Sequence, residues 1–201
     1  MIKIIKIFIL CLSCIACDKT KTIELSGGLD EKLINAAIDR TKTKVTYNGK
    51  YLKIPYPNGD VPDSIGVCTD LIIRSYRAIN VDLQKLVHED ISKNFNVYPL
   101  KKIWKANRSD RNIDHRRVPN LQKFFERKGA KLPITKVGKD YLPGDIVTWD
   151  IPGNSPWHIG IVSNTIKNDT PLIIHNMGRG PVVSDILFKF KITGHYRYFP
   201  S

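Results

Sequence analysis

The chain is short of cysteine where cysteine would matter structurally. It has four, and Cys11, Cys14 and Cys17 all fall in an apolar N-terminal stretch. The body keeps one, Cys68, so it can form no internal disulfide. Acidic residues are also scarce, at 19 against 32 basic, for a formal net charge of +13. No apolar run reaches the ~18 residues that mark a confident membrane span. Neither an internal repeat nor a low-complexity segment is present. These absences exclude a disulfide-stapled miniprotein, a multi-span membrane protein and a solenoid.

Residues 1–17, MIKIIKIFILCLSCIAC, carry Lys3 and Lys6 and then an apolar run from Ile4 to Ala16. The pattern predicts a secretory signal. Cys14-Ile15-Ala16-Cys17 resembles a bacterial lipoprotein signal, which implies acylation of Cys17. Cleavage after Ala16 without lipid and an uncleaved anchor are the other readings. All place the body in the cell envelope, periplasmic and membrane-anchored, or secreted. Without Lys3 and Lys6 the body holds 30 basic and 19 acidic residues, net +11. That charge suits a polyanionic neighbour such as cell wall or lipid headgroups, or serves solubility alone. No nucleic-acid partner, metal or other cofactor is expected, and the chain reads as a monomer.

Residues 18–28 read as a polar tether, and 29–201 as one domain, long enough for its own core. Helical periodicity is expected over Leu29 to Thr41, from Cys68 to about Asn80, over Leu83 to Asn94 and over Val118 to Lys128. Tyr47 to Tyr51 holds an Asn-Gly turn between short β-like runs, and Ile54 to Pro62 is a proline-rich loop. Strands are expected at 146–149, 158–162 and 171–176, with two more near 187–191 and 195–199. Helices first and strands after predict an α+β fold with an antiparallel sheet of about five strands.

Cys68 stands at the start of a predicted helix, where unpaired N–H groups and the helix dipole stabilise a thiolate. It shares a stripe with Ile72, Tyr76 and Ile79, which suits a core filler and a nucleophile equally well. His158 opens a strand after a Gly/Pro-rich loop, where an imidazole can take the thiol proton and return it to a leaving amine. His175 ends the next strand and can fix the tautomer of His158. Asn176 points to the opposite face. Tyr56, in the proline loop, is a candidate oxyanion donor beside the Cys68 N–H. His115 is a lesser orienting candidate, and His88 reads as a surface residue.

In order and spacing, these residues resemble the NlpC-p60 superfamily of cell-wall cysteine peptidases, which have a papain-like fold. In that family a Tyr-Val-Trp-Gly-Gly loop leads to an Asp-Cys-Ser-Gly helix start. Here Tyr56-Pro57-Asn58-Gly59-Asp60 leads to Val67-Cys68-Thr69-Asp70. The family's Pro-Gly-Asp and His-Val-Gly-Ile elements match Pro143-Gly144-Asp145 and His158-Ile159-Gly160-Ile161, and its later Ile-His-Ala strand matches Ile174-His175-Asn176. The resemblance implies Cys68 as nucleophile, His158 as base, His175 as orienter and Tyr56 near the oxyanion.

More narrowly, residues from about Tyr47 to Tyr198 resemble domain of unknown function 1287. That likeness is carried by Ile54 to Asp60, Asn112 to Asn120 and Gly194 to Tyr198. Val67 departs from the acid usual before the cysteine, and Thr69-Asp70 from Ser-Gly. The long insert between Cys68 and His158 includes two extra helices that can wall a cleft. Arg116 or Arg117 is a candidate clamp for a substrate carboxylate, the other reading being a solvated charged loop, and Asp70 and Trp157, flanking the thiol and the base, are further candidate substrate contacts. The expected activity is cleavage of an amide in peptidoglycan stem peptides through a thioester. Acyl transfer on the same fold and a non-catalytic wall-binding role are the alternatives.

Overall fold

A computed structural model describes residues 19–25, 27–153 and 156–200. The leader and Cys17 lie outside them. The order is β1 (Thr20–Thr22), α1 (Leu29–Thr41), β2 (Thr46–Tyr47), β3 (Ile65–Gly66), α2 (Cys68–Arg77), α3 (Leu83–Lys93), α4 (Leu100–Trp104) and α5 (Val118–Arg127). Then come β4 (Ile146–Asp150), β5 (Trp157–Lys167), β6 (Thr170–Asn176), β7 (Pro181–Ser184) and β8 (Lys191–Tyr196). The expected α+β class holds. The main sheet is antiparallel in the order β7-β6-β5-β4-β8, with β1 added beside β5.

Alternation along the strands explains why the sheet has two apolar faces. Ile146, Ile159, Ile161 and Ile174 meet the helices, through Leu33 and Ile34 of α1, Ile72 and Tyr76 of α2, and Phe124 and Phe125 of α5. Their sequence neighbours Val147, Val162 and Ile173 turn the other way, with Trp149, against Ile186 and Leu187. Aliphatic doublets at consecutive positions therefore mark strands buried on both sides. The stripe Cys68, Ile72, Tyr76 and Ile79 is buried, as its spacing predicts.

Five features differ from expectation. Within the supposed tether, Thr20–Thr22 form β1, paired with the end of β5. β7 lies in a stretch where no element is expected, whereas residues 187–190, expected in a strand, form none. The Asn-Gly segment makes no hairpin; β2 pairs in parallel with β3, Tyr47 opposite Gly66. Short α4 carries too few residues to show a helical period.

Candidate active site

α2 starts without a polar N-cap side chain. Val67 is extended, and its N–H donates to the Asp70 carboxylate one turn later, 2.6 Å away. That carboxylate also accepts from Arg116 Nε at 2.8 Å and Nη2 at 3.0 Å, with both side chains at most 3% exposed. Arg116 donates further to the Lys50 and Asn48 carbonyls, and Thr69 Oγ1 donates to the Arg116 carbonyl at 3.0 Å. The pair thus ties the turn Asp114–Arg116 and the 48–50 loop to the mouth of α2. Both members are spent internally, so neither Arg116 nor Asp70 is free to clamp a substrate, contrary to expectation.

Cys68 is the first helical residue and is 4% exposed. Its thiol lies beside the Ile159 N–H of β5 and the Tyr47 hydroxyl. Burial pushes the thiol up to about 11, and the nearby Asp70 carboxylate adds to the rise. The N–H groups of Ile159 and Thr69 and the Tyr47 hydroxyl work the other way without reversing it. Desolvation therefore outweighs the helix-start effect that predicts a resting thiolate.

Tyr47, which sequence reasoning missed, takes the place assigned to Tyr56. Its hydroxyl approaches both the thiol and the backbone N–H of Cys68, and its pKa is raised by burial and by the thiol. Tyr56 goes elsewhere: its ring is edge-on to His88 at 5.2 Å, and the Arg111 guanidinium lies 5.5 Å from its centroid. The proline loop explains the displacement. Asp60 binds Arg74 at 2.9 Å and Arg77 at 2.5 Å, and the Gly59 N–H donates to Gln84 Oε1. The loop therefore docks on α3 and the C-terminal half of α2, away from Cys68.

A groove of about 420 Å³ opens at Cys68, walled by Tyr47, Tyr51, Trp104, Arg116, Arg117 and Trp157 among others. Arg117 lies 4.2 Å over the Trp104 ring, with Nη1 3.1 Å from Asp114 Oδ1. The Trp104 and Trp157 rings stand 6.0 Å apart. Of the four residues expected to contact substrate, Arg117 and Trp157 therefore line the groove with side chains available to it. The insert does wall the cleft, through Trp104 at the end of α4 and Arg117 just before α5.

His158 and His175 are together. His158 Nε2 is 3.1 Å from His175 Nδ1, the rings are perpendicular, and His175 Nε2 is 2.7 Å from Ser184 Oγ. Ser184 was hidden from sequence reasoning because β7 was. Gly160 makes the pairing possible: a Cβ there would meet Ile173 Cγ2 at 2.5 Å and His175 Cβ at 3.2 Å. Burial drops His158 to about 3, helped by His175, and drops His175 to about 4, so both rings are neutral.

Their placement corrects one expectation. His158 is the register partner of Trp149, with ring centroids 5.8 Å apart, so the imidazole pair sits on the Trp149 face of the sheet. Cys68 belongs to the helix-side core and reaches β5 at Ile159, one residue along. Thiol and imidazole pair thus approach β5 from opposite faces, at the neighbouring residues Ile159 and His158, near the end of its pairing with β6 at Gly160–His175. Among the described residues no hydrogen bond joins the thiol to either ring.

The remaining histidines lie apart. His115 is buried behind α2 with Nδ1 unpartnered, and burial and Arg116 drop it to about 3, so it orients nothing at Cys68. His88 is half-buried against Tyr56 rather than on the surface. Asn176 accepts from the Gly178 N–H. His195 is held between Asp145 Oδ2 at 2.8 Å and the Pro133 carbonyl at 2.9 Å, and Arg197 makes two bonds to the same carboxylate. Among the described residues no group of three or more His, Cys, Asp or Glu is placed to hold a metal.

A lone thiol at a helix start, packed on an antiparallel sheet that carries a histidine pair, defines the class of fold and site. The chain belongs to the family described as domain of unknown function (DUF1287), whose model matches residues 34–198. It is 46% identical over 178 residues to the uncharacterized protein YijF of Escherichia coli (strain K12), covering 88% of this chain and 85% of that one. Among solved structures it is similar to NlpC1 from Trichomonas vaginalis, at a TM-score of 0.46 and 14% identity. That match covers 90% of this chain but spans only 48% of the other. It is also similar to an N-acetylmuramoyl-L-alanine amidase from Bacteroides uniformis ATCC 8492. There the TM-score is 0.42 at 16% identity, with 85% of this chain and 98% of the other covered.

Proposed function

We propose that the protein is a cell-envelope cysteine hydrolase that cleaves an amide bond in peptidoglycan stem peptides. The observation that carries this reading is the convergence at one groove of the Cys68 thiol, the Tyr47 hydroxyl and two backbone N–H groups, on a strand whose next residue, His158, belongs to a neutral imidazole pair. The leader supports an envelope address, by acylation at Cys17 or by secretion.

Because the resting thiol is neutral, proton removal accompanies attack. The thiol sulfur bonds to the amide carbonyl carbon while His158 takes the thiol proton through Nδ1, its Nε2 being committed to His175. The oxyanion forms near the Cys68 N–H and the Tyr47 hydroxyl, the donors nearest the sulfur. His158 then gives the proton to the departing amine nitrogen as the C–N bond breaks, leaving a thioester. Water, deprotonated by the same ring, attacks the thioester; the C–S bond breaks and the thiol is regenerated with a carboxylic acid product. An amine or alcohol in place of water makes the same site a transferase. Arg117, on its Trp104 platform, supplies the cationic contact for a stem-peptide carboxylate.

A second reading, a wall-binding protein without turnover, draws on the burial of Cys68 and its lack of a hydrogen bond to either ring. Peptidoglycan incubated with the wild-type chain and with Cys68→Ala separates the two. New muropeptides by mass spectrometry from the wild type alone support hydrolysis and locate the bond. No fragments from either, with tight retention on sacculi, replaces the enzyme with a binder.

A further inference from the structure

β5 runs from the Cys68 groove to a second surface at its opposite end. From Ile159, beside the thiol, to Lys167, paired with Thr20 of β1, the strand covers about 26 Å at ~3.3 Å per residue. A hollow of about 380 Å³ lies there, lined by Lys21, Ile23, Val137, Lys139, Leu142 and Asp169 among others. Ile23, Val137 and Leu142 are 39%, 46% and 47% exposed, and Lys19, Lys21 and Lys139 are exposed around them. Large apolar side chains this exposed, grouped and ringed by cations, mark a contact surface.

The chain itself says what the surface faces. The apolar run Ile4 to Ala16 ends at Cys17, two residues before Lys19 and three before β1. Any bilayer that holds that run, or an acyl group on Cys17, therefore meets the folded body at this end. One acyl chain binds a membrane only marginally, and apolar contacts with a basic patch supply the usual second signal.

We propose that the β1 end of the sheet docks on an anionic lipid bilayer. Ile23, Val137 and Leu142 rest at headgroup depth, and Lys19, Lys21 and Lys139 contact lipid phosphates. Docked in this way, the molecule uses β5 as a spacer that holds the Cys68 groove off the membrane, facing the wall. The inference is independent of the chemistry at Cys68.

The test uses the full chain on vesicles of phosphatidylglycerol and brominated phosphatidylcholine, with tryptophan emission read against the wild type. Leu142→Trp is expected to lose about half of its added emission to the bromines, while Val97→Trp, on the helical side, keeps its own. Lys21→Glu with Lys139→Glu, or vesicles without phosphatidylglycerol, should lower the quenching at position 142. Lys101→Glu with Lys102→Glu should not. Equal quenching of both probes, or none at 142 on vesicle-bound protein, overturns the docked orientation. Quenching at 142 that ignores both charge changes overturns the requirement for anionic lipid.

Discussion

The sheet carries two buried imidazole arrangements that differ in what surrounds them. His158 and His175 pair with each other and with the Ser184 hydroxyl, with no carboxylate in the set, and burial keeps both neutral. His195 is fixed between a carboxylate and a carbonyl, beneath the Tyr141 ring at 4.2 Å, and Arg197 completes the charge on Asp145. Both ring nitrogens of His195 are engaged by oxygen atoms of its neighbours, so neither faces a cleft. His158 keeps a nitrogen for chemistry. The contrast teaches that the partner set, rather than burial, separates a structural strut from a candidate base: both histidines are about 1% exposed.

The largest break in this comparison is expected at the proposed base. His158→Gln should lower kcat/KM for muropeptide cleavage by about 10³-fold or more with the fold intact, whereas His195→Gln should leave kcat within severalfold. Kinetics paired with a thermal melt check both; a His195 variant as inactive as the His158 one would erase the distinction. The reverse ordering applies to stability. Asp145→Ala strands Arg197 and His195 and should cost about 3–5 kcal/mol in urea unfolding, and Arg116→Met should cost about as much by stranding buried Asp70. Arg117→Met should instead raise KM with little change in unfolding midpoint, because its guanidinium lies at a groove wall.

A smaller effect is expected at Tyr47. Tyr47→Phe removes one donor at the oxyanion and should lower kcat by about 10–100-fold with KM nearly unchanged. Tyr56→Phe should do nothing to kcat, since that ring packs on His88. Equal losses in the two variants would return the oxyanion role to the proline loop.

Stability also depends on pH, through three of the buried histidines. His158, His175 and His115 have folded values of about 3, about 4 and about 3, below the ordinary 6.5. Between pH 6.5 and 4 the unfolded chain takes up protons that the folded chain refuses, so stability falls as pH falls. Each ring contributes at most about 1.4 kcal/mol per pH unit. Asp114, which burial lifts to about 6, opposes this between about pH 4 and 6, because the folded chain then holds the extra proton. Urea titrations at pH 7 and pH 5 should show the net loss, and His175→Gln should shrink it.

Much of this site was legible because local signals carried it. Cys68 at a helix start, His158 at a strand start and His175 on the neighbouring strand follow from periodicity and turn residues alone. α1, α2, α3 and α5 lie within a few residues of their expected bounds, since each buries one clear apolar stripe. Tyr47, Ser184 and β1 were not legible. Tyr47 reaches Cys68 only because a two-residue parallel pairing sets it opposite Gly66, and β1 is polar on both sides, so neither has a pattern to read. Arg116 and Asp70 were misassigned for a related reason. A charged loop and an acid near a thiol look like substrate contacts until their mutual burial is known.

By itself the sequence determined the class of fold, the solitude of Cys68 and the order of Cys68, His158 and His175, because these depend on residue type and spacing along the chain. The tertiary structure decided which tyrosine attends the thiol, which arginine at the groove is left uncommitted by a buried ion pair and which face of the sheet holds the imidazoles. Those outcomes depend on pairings between residues far apart in the chain and on burial. Burial also set the protonation of the site, by making a charged thiol or imidazole costlier than a neutral one.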